Sequence, residues 1–297
     1  MSTPTSTYGG QAVIEGVMIR GATVMAIAVR RPDGSIASRS EPLGGVFTGP
    51  VRHVPLLRGL LVLFETLTLG MRALTWSAAV AADQVDEHGE TRPLGVFDWL
   101  FLVGAFGIGV GVFFVGPVLA TAWLDGVLPA RWMSLLVEGL LRVSLLIGYI
   151  WGMGRASDIR RVFQYHGAEH MTIYAQEDGR ELNVPAIRRY PKEHPRCGTS
   201  FLLTVALVAM VVFAFAGTEP LWWRLSSRLI LIPAVAALSY EAIRFAGFHQ
   251  DWPVVRWLFA GNLALQWLTT RAPDDEQIQV AIAALQRVRE AERTTSR

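Results

Sequence analysis

The sequence predicts a mainly α-helical protein that crosses a membrane about four times, with additional interfacial or re-entrant helices and a small β-rich N-terminal segment. Of the 297 residues, 52% are hydrophobic and only 18% are charged, a composition far from that of an average soluble protein. Several apolar runs are long enough to cross the hydrocarbon layer of a bilayer as helices. The lipid bilayer is therefore the first partner that the sequence predicts.

Charge and cysteine content exclude other classes of protein. The net charge is +2, and no basic block or alternation of basic and aromatic residues is present, which argues against a nucleic-acid partner. The single cysteine rules out an internal disulfide, so the chain does not require an oxidising compartment. Residues 1–8 are polar and lack the basic and apolar regions of a cleavable signal peptide, so none is expected.

The N-terminal segment, residues 1–54, has the texture of strands and turns. An apolar run at residues 24–29 is followed by a turn at 31–35 that contains an Asp-Gly pair. Residues 36–40 can return as the partner strand, because Asp-Gly between two such runs is typical of a β-hairpin. We expect a small β-rich unit on the cytoplasmic side of the membrane.

Residues 55–96 combine a helix with an acidic polar loop. Within residues 55–82, Arg58, Glu65 and Arg72 recur every seven positions and form one polar stripe on an otherwise apolar helix. Such a stripe favours a helix that lies at the membrane interface or packs inside the membrane domain, rather than a lone span that faces lipid.

The membrane domain is predicted to cover residues 97–272. Four apolar segments are its candidate spans: residues 97–123, 135–151, 201–216 and 229–245. A fifth, residues 254–268, is short and contains polar residues, so it can be re-entrant, interfacial or embedded. Residues 273–297 open with a helix start signal and predict a water-soluble amphipathic helix. Its apolar stripe consists of Ile278, Ala281, Ile282, Leu285 and Val288.

Lysine and arginine residues outside the apolar segments set the predicted orientation. Residues 1–97 hold eight, residues 154–199 hold eight, and residues 248–297 hold six. The connections at 124–134 and 217–228 hold one and two. Because basic residues accumulate on the cytoplasmic side, four spans would leave both termini and the loop 154–199 in the cytoplasm.

A polar stretch in this cytoplasmic loop carries the most specific motif of the chain. Read as a helix, residues 159–173 bring His166 and His170 onto the same packing face as their apolar neighbours. His-x-x-Glu-His is the inverted form of the zinc-protease motif, in which two imidazoles four residues apart bind one metal ion. Glu169 would act on a water molecule. We therefore predict a divalent metal as cofactor, with zinc as the expected ion.

The motif needs a third ligand, and two sources are available. One is His194 with Cys197, an imidazole and a thiolate three residues apart. The other is Glu241, a carboxylate in the last candidate span, where a bare charge is expensive and therefore functional or paired. The candidate metal ligands are His166, His170, His194, Cys197 and Glu241, and the candidate catalytic base is Glu169.

Each assignment has a structural alternative. The two histidines of the motif can be buried side chains that bond to backbone groups or carboxylates. Cys197 can be a small buried residue at the start of a helix. Glu241 can pair with Arg244 or Arg142.

Cys197 also supports a competing hypothesis, in which its thiolate is a nucleophile and His194 or His170 is the base. Backbone amides at the start of the following span would then form an oxyanion hole. We rank this hypothesis below a metal site, because it leaves the glutamate-flanked histidine pair unexplained. Glu15 and Gln11, from the N-terminal segment, are further residues that can approach the site.

Four separated motifs resemble a known family. They are residues 8–18 (YGGQAVIEGVM), 163–170 (FQYHGAEH), 194–201 (HPRCGTSF) and 239–241 (SYE). Together they are similar to the YqhQ-like bacterial membrane proteins, which carry a domain-of-unknown-function label and are described as predicted metal-dependent enzymes. The resemblance implies a bacterial inner-membrane protein and no particular substrate. The metal site that it implies consists of His166, Glu169, His170, His194 and Cys197.

Two functions follow as hypotheses. The first is a zinc-type hydrolase at the cytoplasmic membrane face, with Glu169 as general base and a lipid-linked or membrane-protein substrate. If His194 and Cys197 both ligate, the four ligands would make the metal structural. The second is a non-enzymatic membrane scaffold, assembly factor or transporter, in which a metal fixes the cytoplasmic loop to the spans.

Overall fold

In the computed structural model, residues 8–44, 49–85, 95–194, 197–249 and 251–295 are described. Most of the predicted acidic loop lies outside these ranges, as do Pro195 and Arg196 of the third motif. The described chain is mainly helical and contains one small antiparallel sheet, as the sequence predicts.

Four strands form the sheet, and they lie side by side in chain order. They are β1 (Gly9–Val13), β2 (Gly16–Arg20), β3 (Val24–Arg30) and β4 (Ile36–Pro42). Each pairs antiparallel with the next, and the predicted hairpin of β3 and β4 is confirmed. Gly34 in its turn has a φ of 84°, which glycine adopts without steric strain.

Helices make up most of the remaining described chain. In order, they are α1 (Leu57–Ala81), α2 (Val96–Val110), α3 (Gly116–Leu124), α4 (Arg131–Met153), α5 (Ser157–Glu177), α6 (Val184–Ile187), α7 (Ser200–Ala216), α8 (Leu221–Ile230), α9 (Ile232–Phe248), α10 (Pro253–Thr269) and α11 (Asp275–Thr295). A 3₁₀ turn, Pro50–His53, precedes α1, and a π-helical segment, Gly111–Val115, joins α2 to α3.

Helices cover both faces of the sheet. α1 packs on one face, whereas α5 and α11 pack on the other. In β3, Ala26 and Ala28 face α5 and α11 while Ile27 and Val29 face α1, and all four are fully buried. Side chains of a strand alternate between the two faces, so an uninterrupted apolar run requires cover on both. We call this three-layer unit of sheet, α1, α5 and α11 the sandwich.

α11 completes the sandwich as the amphipathic helix that the sequence predicts. Ile278, Ala281, Leu285 and Val288 are fully buried, and they lie in the same cluster as the sheet residues that face α5. The spacing of three and four residues brings these side chains onto one face of the helix, which explains why a polar sequence folds against the sheet.

α1 connects the sandwich to the apolar helices. Its C-terminal half packs on the sheet through Leu69 and Trp76. Near its N-terminus, an ideal Cβ built on Gly59 would lie 3.0 Å from the Cα of Ala237 in α9. The polar stripe makes the same connection: Arg58 pairs with Glu241 of α9.

The second residue of that stripe joins α1 to the sheet. Buried Glu65 accepts hydrogen bonds from Arg20 of β2 at 2.9 Å and from Arg52 at 3.0 Å. The stripe therefore joins two regions of the molecule, a role that periodicity alone does not reveal.

Two helical stretches are long and apolar enough to cross a membrane: residues 96–124, which comprise α2, the π-helical segment and α3, and α4. α8 and α9 are bent by 50° relative to each other, so they form a third candidate only if the bent pair is counted as one span. Pro233, in the first turn of α9, has no N–H to donate back to α8, which explains the break. The described helices thus support two or three spans, where the sequence predicts about four.

α7 is apolar but shorter than a typical span. Its 17 residues rise about 25 Å, less than the hydrocarbon core of about 30 Å. The predicted bounds of this segment agree with the helix, but the helix is among the shorter apolar helices and not among the candidate spans.

Candidate metal centre

Three side chains with metal-binding atoms converge at one end of the sandwich. His166 and His170 lie one turn apart on α5, and Cys197 comes from the loop before α7. One ligand atom of each lies within 4.8 Å of the others, and none of the three residues is more than 9% exposed. Nε2 of His166 is 3.2 Å from Sγ of Cys197. Ligand atoms of a tetrahedral zinc site lie about 3.5 Å apart, so this contact has a suitable length.

Main-chain carbonyl groups fix the orientation of both imidazoles. Nδ1 of His166 donates to the carbonyl oxygen of Thr269 at 2.8 Å, and Nδ1 of His170 donates to that of Lys192 at 2.6 Å. A carbonyl oxygen can only accept, so the proton of each neutral ring must lie on Nδ1. Each Nε2 is then left with a lone pair, which is the arrangement that orients histidine ligands in metal sites.

Burial keeps His170 in the form that a metal ion requires. The surrounding protein lowers the pKa of His170 to about 2, chiefly because the charged ring would lose its hydration. Its imidazole is therefore neutral throughout the physiological range. Metal ions bind neutral imidazole, so no proton has to be displaced from this ring before a metal can bind.

Among the carboxyl groups of α5, that of Glu169 lies closest to the three-residue cluster. It is 3% exposed, and its Oε2 lies 3.5 Å from Nε2 of His170. Burial raises the pKa of Glu169 to about 8, so near pH 7 most of this carboxyl group is protonated in the metal-free protein. With a neutral imidazole and a neutral carboxyl group, the contact is not an ion pair. A cation among the ligand atoms would favour the carboxylate.

His194 lies beside the three-residue cluster. Its backbone N–H donates to Oε1 of Gln266 at 2.8 Å, and Nε2 of Gln266 donates to its carbonyl oxygen at 2.9 Å. The ring centroid is 4.3 Å from that of Tyr174 and 5.7 Å from that of His170. Burial lowers the pKa of His194 to about 4. Of the predicted pair His194 and Cys197, only the thiol has its ligand atom in the cluster.

Glu241 is engaged by a different partner. Its Oε1 accepts hydrogen bonds from the backbone N–H of Leu56 at 3.0 Å and from Nε of Arg58 at 2.7 Å. Arg58 lies on α1, whereas the sequence suggests Arg244 or Arg142 as the partner of Glu241. The described ligand cluster does not include this carboxylate.

The N-terminal segment reaches the site through a glycine. An ideal Cβ built on Gly10 of β1 would lie 2.5 Å from Oε1 of Glu169, so the strand crosses directly over the carboxyl group. Gln11 points to the opposite face of the sheet, where its amide oxygen lies 2.7 Å from an ideal Cβ on Gly70 of α1. The sequence suggests Gln11 and Glu15 as residues that approach the site but does not suggest Gly10, although the adjacent Gly9-Gly10 pair in a strand is the available signal.

Glu15 holds the β1–β2 hairpin against α5. Its carboxylate accepts two hydrogen bonds of 2.5 Å from Arg161 and one of 3.2 Å from the hydroxyl of Tyr165. Hydrogen bonds from Arg161 hold the pKa of Glu15 below its usual range. The residue has a φ of 52°, uncommon outside glycine, so the clamp is built on a strained turn.

A second glycine lets the chain that follows α10 approach α5 closely. An ideal Cβ on Gly167 would lie 2.2 Å from the carbonyl oxygen of Arg271, and the N–H of Arg271 donates to the carbonyl oxygen of Phe163 at 2.9 Å. The chain that leaves α10 therefore runs in contact with α5 just beyond Thr269. A side chain at this position of α5 would push it away.

The cysteine contacts also fit the nucleophile hypothesis. Sγ of Cys197 is 3.0 Å from Oγ1 of Thr199 and 3.3 Å from its backbone nitrogen, in addition to Nε2 of His166. A thiolate would be stabilised by the hydroxyl and the N–H of Thr199. The base that the geometry offers is His166, and not the His194 or His170 of the sequence-based hypothesis.

Comparison with known proteins gives the family. A family model described as "Protein of unknown function (DUF1385)" matches residues 54–291. The chain belongs to this family. The "Uncharacterized protein YqhQ" of Bacillus subtilis (strain 168) is 34% identical over 289 residues, which cover 93% of this chain and 90% of the relative. No solved structure matches the chain.

The DUF1385 match confirms the family resemblance and contains every ligand-type residue described above. The strands β1 to β4 precede the matched region, although β1 covers Glu169. Neither the DUF1385 description nor the name of the relative states an activity. The activity of this DUF1385 protein must therefore be inferred from the residues and the geometry of the site.

Proposed function

We propose that this DUF1385 protein is a zinc-type hydrolase that acts at the cytoplasmic face of the bacterial inner membrane. The observation that carries the proposal is the cluster of His166, His170 and Cys197, with ligand atoms within 4.8 Å and both imidazoles oriented by main-chain carbonyls. Two nitrogens and one sulfur form a donor set that zinc prefers. Three protein ligands are typical of catalytic zinc sites, whereas structural sites use four.

Zinc bound at this cluster would supply a Lewis acid that polarises a carbonyl group. Glu169 would accept a proton from the attacking water and return it to the leaving group, since its carboxyl group lies 3.5 Å from Nε2 of His170. The carbonyls of Thr269 and Lys192 would hold the imidazoles in place during the reaction. Strand β1, which lies over the carboxyl group of Glu169, would limit the access of bulk water to the site.

The membrane part of the proposal comprises four spans with both termini and the histidine-bearing loop in the cytoplasm. The distribution of lysine and arginine along the chain supports this orientation. The amino-terminal end of α5, only a few residues after α4 ends, supports a site close to the membrane surface. A lipid-linked or membrane-protein substrate would suit that position.

Metal analysis of the purified protein tests the proposal. We expect about one equivalent of zinc in the wild type and a loss of most of it in His166→Ala and in His170→Ala, because each removes one of three ligands. His249→Ala is the matched control: Nδ1 of His249 donates to a main-chain carbonyl at 2.8 Å on α9, but His249 is not part of the cluster. A well-folded wild type that binds no divalent metal would contradict the proposal.

A structural metal in a non-enzymatic scaffold, assembly factor or transporter is the second candidate. One observation favours it: the three ligand residues and their carbonyl partners tie together α5, the loop before α7 and the end of α10. Glu169→Gln distinguishes the two candidates. In the hydrolase, this variant retains zinc and loses turnover of fluorogenic peptides and esters. In the scaffold, the zinc-loaded wild type turns over none of them.

A further inference from the structure

The strand that covers Glu169 is also an edge of the sheet. Among the residues that the structure describes, β1 pairs with β2 on one side and with no strand on the other. Gly9 and Gly10 are exposed, although Gly10 lies directly over the Glu169 carboxyl group. The exposed part of this edge, at Gly9 and Gly10, thus lies beside the candidate metal centre.

The opposite edge of the same sheet is built differently. β4 carries Arg39 and Glu41, which form a 2.9 Å ion pair, and it ends at Pro42. Charged side chains and proline are the usual means by which an edge strand is protected from pairing with another chain. β1 has neither: its sequence is Gly-Gly-Gln-Ala-Val. At Gly9 an ideal Cβ meets nothing within 4 Å, so no side chain of the described residues covers this end of the edge.

β1 is held firmly at both ends and in the middle. The hydroxyl of Tyr8 donates to Glu292 of α11 at 3.1 Å, Gln11 lies against Gly70 of α1, and the turn after β1 is clamped through Glu15 to Arg161. The strand therefore has a fixed position relative to α5 before any ligand arrives. A fixed edge binds an extended chain without the loss of its own conformational freedom.

We propose that the free edge of β1 binds an extended peptide segment as an added strand, and that this peptide is the substrate class of the metal centre. The inference rests on the proposed hydrolase function. Main-chain hydrogen bonds to β1 would supply the affinity, and they place no demand on the peptide sequence. Because Gly10 lies over Glu169, the added strand would carry its own carbonyl groups along the border of the ligand cluster.

The reaction would be peptide-bond hydrolysis. The oxygen of water bonds to the carbonyl carbon, and the bond from that carbon to nitrogen breaks. One proton of the water passes to Glu169 and then to the leaving nitrogen, so the products are a carboxylic acid and an amine. No oxidant, reductant or further reactant is required.

Hydrogen–deuterium exchange tests the binding step without relying on turnover. Full-length, zinc-loaded Glu169→Gln protein in lipid nanodiscs is mixed with a pool of random synthetic decapeptides blocked at both ends. Added-strand binding is expected to slow exchange of those amides in residues 9–13 that point away from β2 by about tenfold, the effect of one new hydrogen bond. The amides of residues 36–42 in β4 are the control within the same molecule, and their exchange is expected to stay unchanged.

Backbone methylation then tests the geometry. A decapeptide that the wild type cleaves is identified by mass spectrometry and is methylated at one amide nitrogen at a time. An added strand uses every second amide for pairing, so affinity should fall about tenfold at alternate positions and little at those between. Equal losses of affinity at all positions, or no loss at any position, would overturn the inference that the peptide binds to the edge of β1. Cleavage of the unmethylated peptide would still support the hydrolase.

The remaining outcomes separate this inference from the proposed function. If the sample holds zinc and residues 9–13 are not protected by the peptide pool, the peptide inference fails alone. If residues 9–13 are protected in protein that binds no zinc, the docking edge stands and the hydrolase proposal fails. Turnover of esters with no peptide cleaved or bound would also overturn the peptide inference.

Discussion

The sandwich and the apolar helices differ in where their large apolar side chains lie. In the sandwich, large apolar side chains lie inside: Ile19 of β2 and Leu285 of α11 are fully buried. Among the apolar helices, the interior holds charges, since Glu138, Arg224 and Arg228 are at most 1% exposed, while Phe97 on the surface is 87% exposed. A surface of large apolar side chains is stable only where the surrounding solvent is itself apolar. The difference indicates that the two regions face different solvents.

α8 shows the inverted pattern within a single helix. Arg224, Ser227 and Arg228 form its buried face, whereas Trp222 and Ile230 are more than 60% exposed. The two arginines bind Glu138 of α4 at 3.0 to 3.2 Å, and Arg224 also donates to Thr121 of α3. In water, this helix would turn its polar face outward. Its polar face instead packs against charged residues inside the protein.

The largest expected effect lies in the charged interior. Glu138 accepts hydrogen bonds from Arg142, Arg224 and Arg228, so Glu138→Gln leaves three buried arginines without their shared counter-charge. Loss of one partner in a buried charge cluster destabilises by about 3 to 5 kcal/mol. We expect little folded protein to survive purification in mild detergent, measured by size-exclusion chromatography and thermal unfolding.

Glu219→Gln is the matched control for this variant. Glu219 pairs with Arg131 at 3.2 Å, but both side chains are more than two-thirds exposed. An exposed ion pair contributes about 0 to 1 kcal/mol, so this variant should unfold near the wild-type temperature. Equal stability of the two variants would mean that the buried charges do not support the apolar helices.

The same substitution at one surface site in each region sharpens the comparison. Ile108 in α2 is 70% exposed and Ile36 in β4 is 37% exposed. Lysine in the central part of a membrane helix costs about 2.5 to 3.5 kcal/mol. At a water-exposed site, the same substitution changes stability by about 0.5 kcal/mol or less. Ile108→Lys should therefore reduce membrane insertion and thermal stability, while Ile36→Lys should leave both unchanged.

Gly167 tests the border between the regions. Gly167→Ala introduces a methyl group against the backbone oxygen of Arg271, and overpacking of this kind costs about 1 to 3 kcal/mol. The displaced chain includes the Thr269 carbonyl that orients His166, so zinc affinity should fall about tenfold. Isothermal titration with zinc measures the change. Gly152→Ala is the control, because an ideal Cβ there meets nothing within 4 Å, and it should bind zinc as the wild type does.

The smallest expected effect is the pH dependence of the hairpin clamp in the sandwich. Because Arg161 lowers the pKa of Glu15 in the folded state, the clamp stabilises the protein above the unfolded pKa. This stabilisation is lost as pH falls through the folded pKa. The side chain of Arg161 is 49% exposed, so the contribution is below about 1 kcal/mol. Glu15→Gln should lower the unfolding temperature at pH 7, and the gap should close in acid. A difference in unfolding temperature between the wild type and Glu15→Gln that grows in acid would contradict the expected direction of the pH dependence.

Much of the sandwich and part of the site could be predicted from local pattern. The spacing of His166 and His170 on an amphipathic helix predicts that both side chains face the protein interior. Cys197 is then predicted as a thiol ligand that joins them. The 3.6-residue period likewise predicts α11, because burial of one face determines that helix. These predictions succeed where the deciding interaction lies within a few residues along the chain.

The remaining features depend on contacts distant in sequence. Gly10 lies over Glu169, 159 positions later, and no local pattern encodes that approach. Glu241 pairs with Arg58, which is 183 positions away, so proximity along the chain suggests the wrong arginine. The break before α9 shows the opposite case, since Pro233 is a local signal that the apolar run obscures.

The hydrogen bond between His166 and Thr269 has a mechanical consequence. α10 ends at Thr269, so its last carbonyl grips an imidazole that belongs to a helix of the sandwich. Any tilt or piston movement of α10 must either carry the ring along or sever that bond. A force that moves α10 would therefore be transmitted to the nitrogen that faces Cys197.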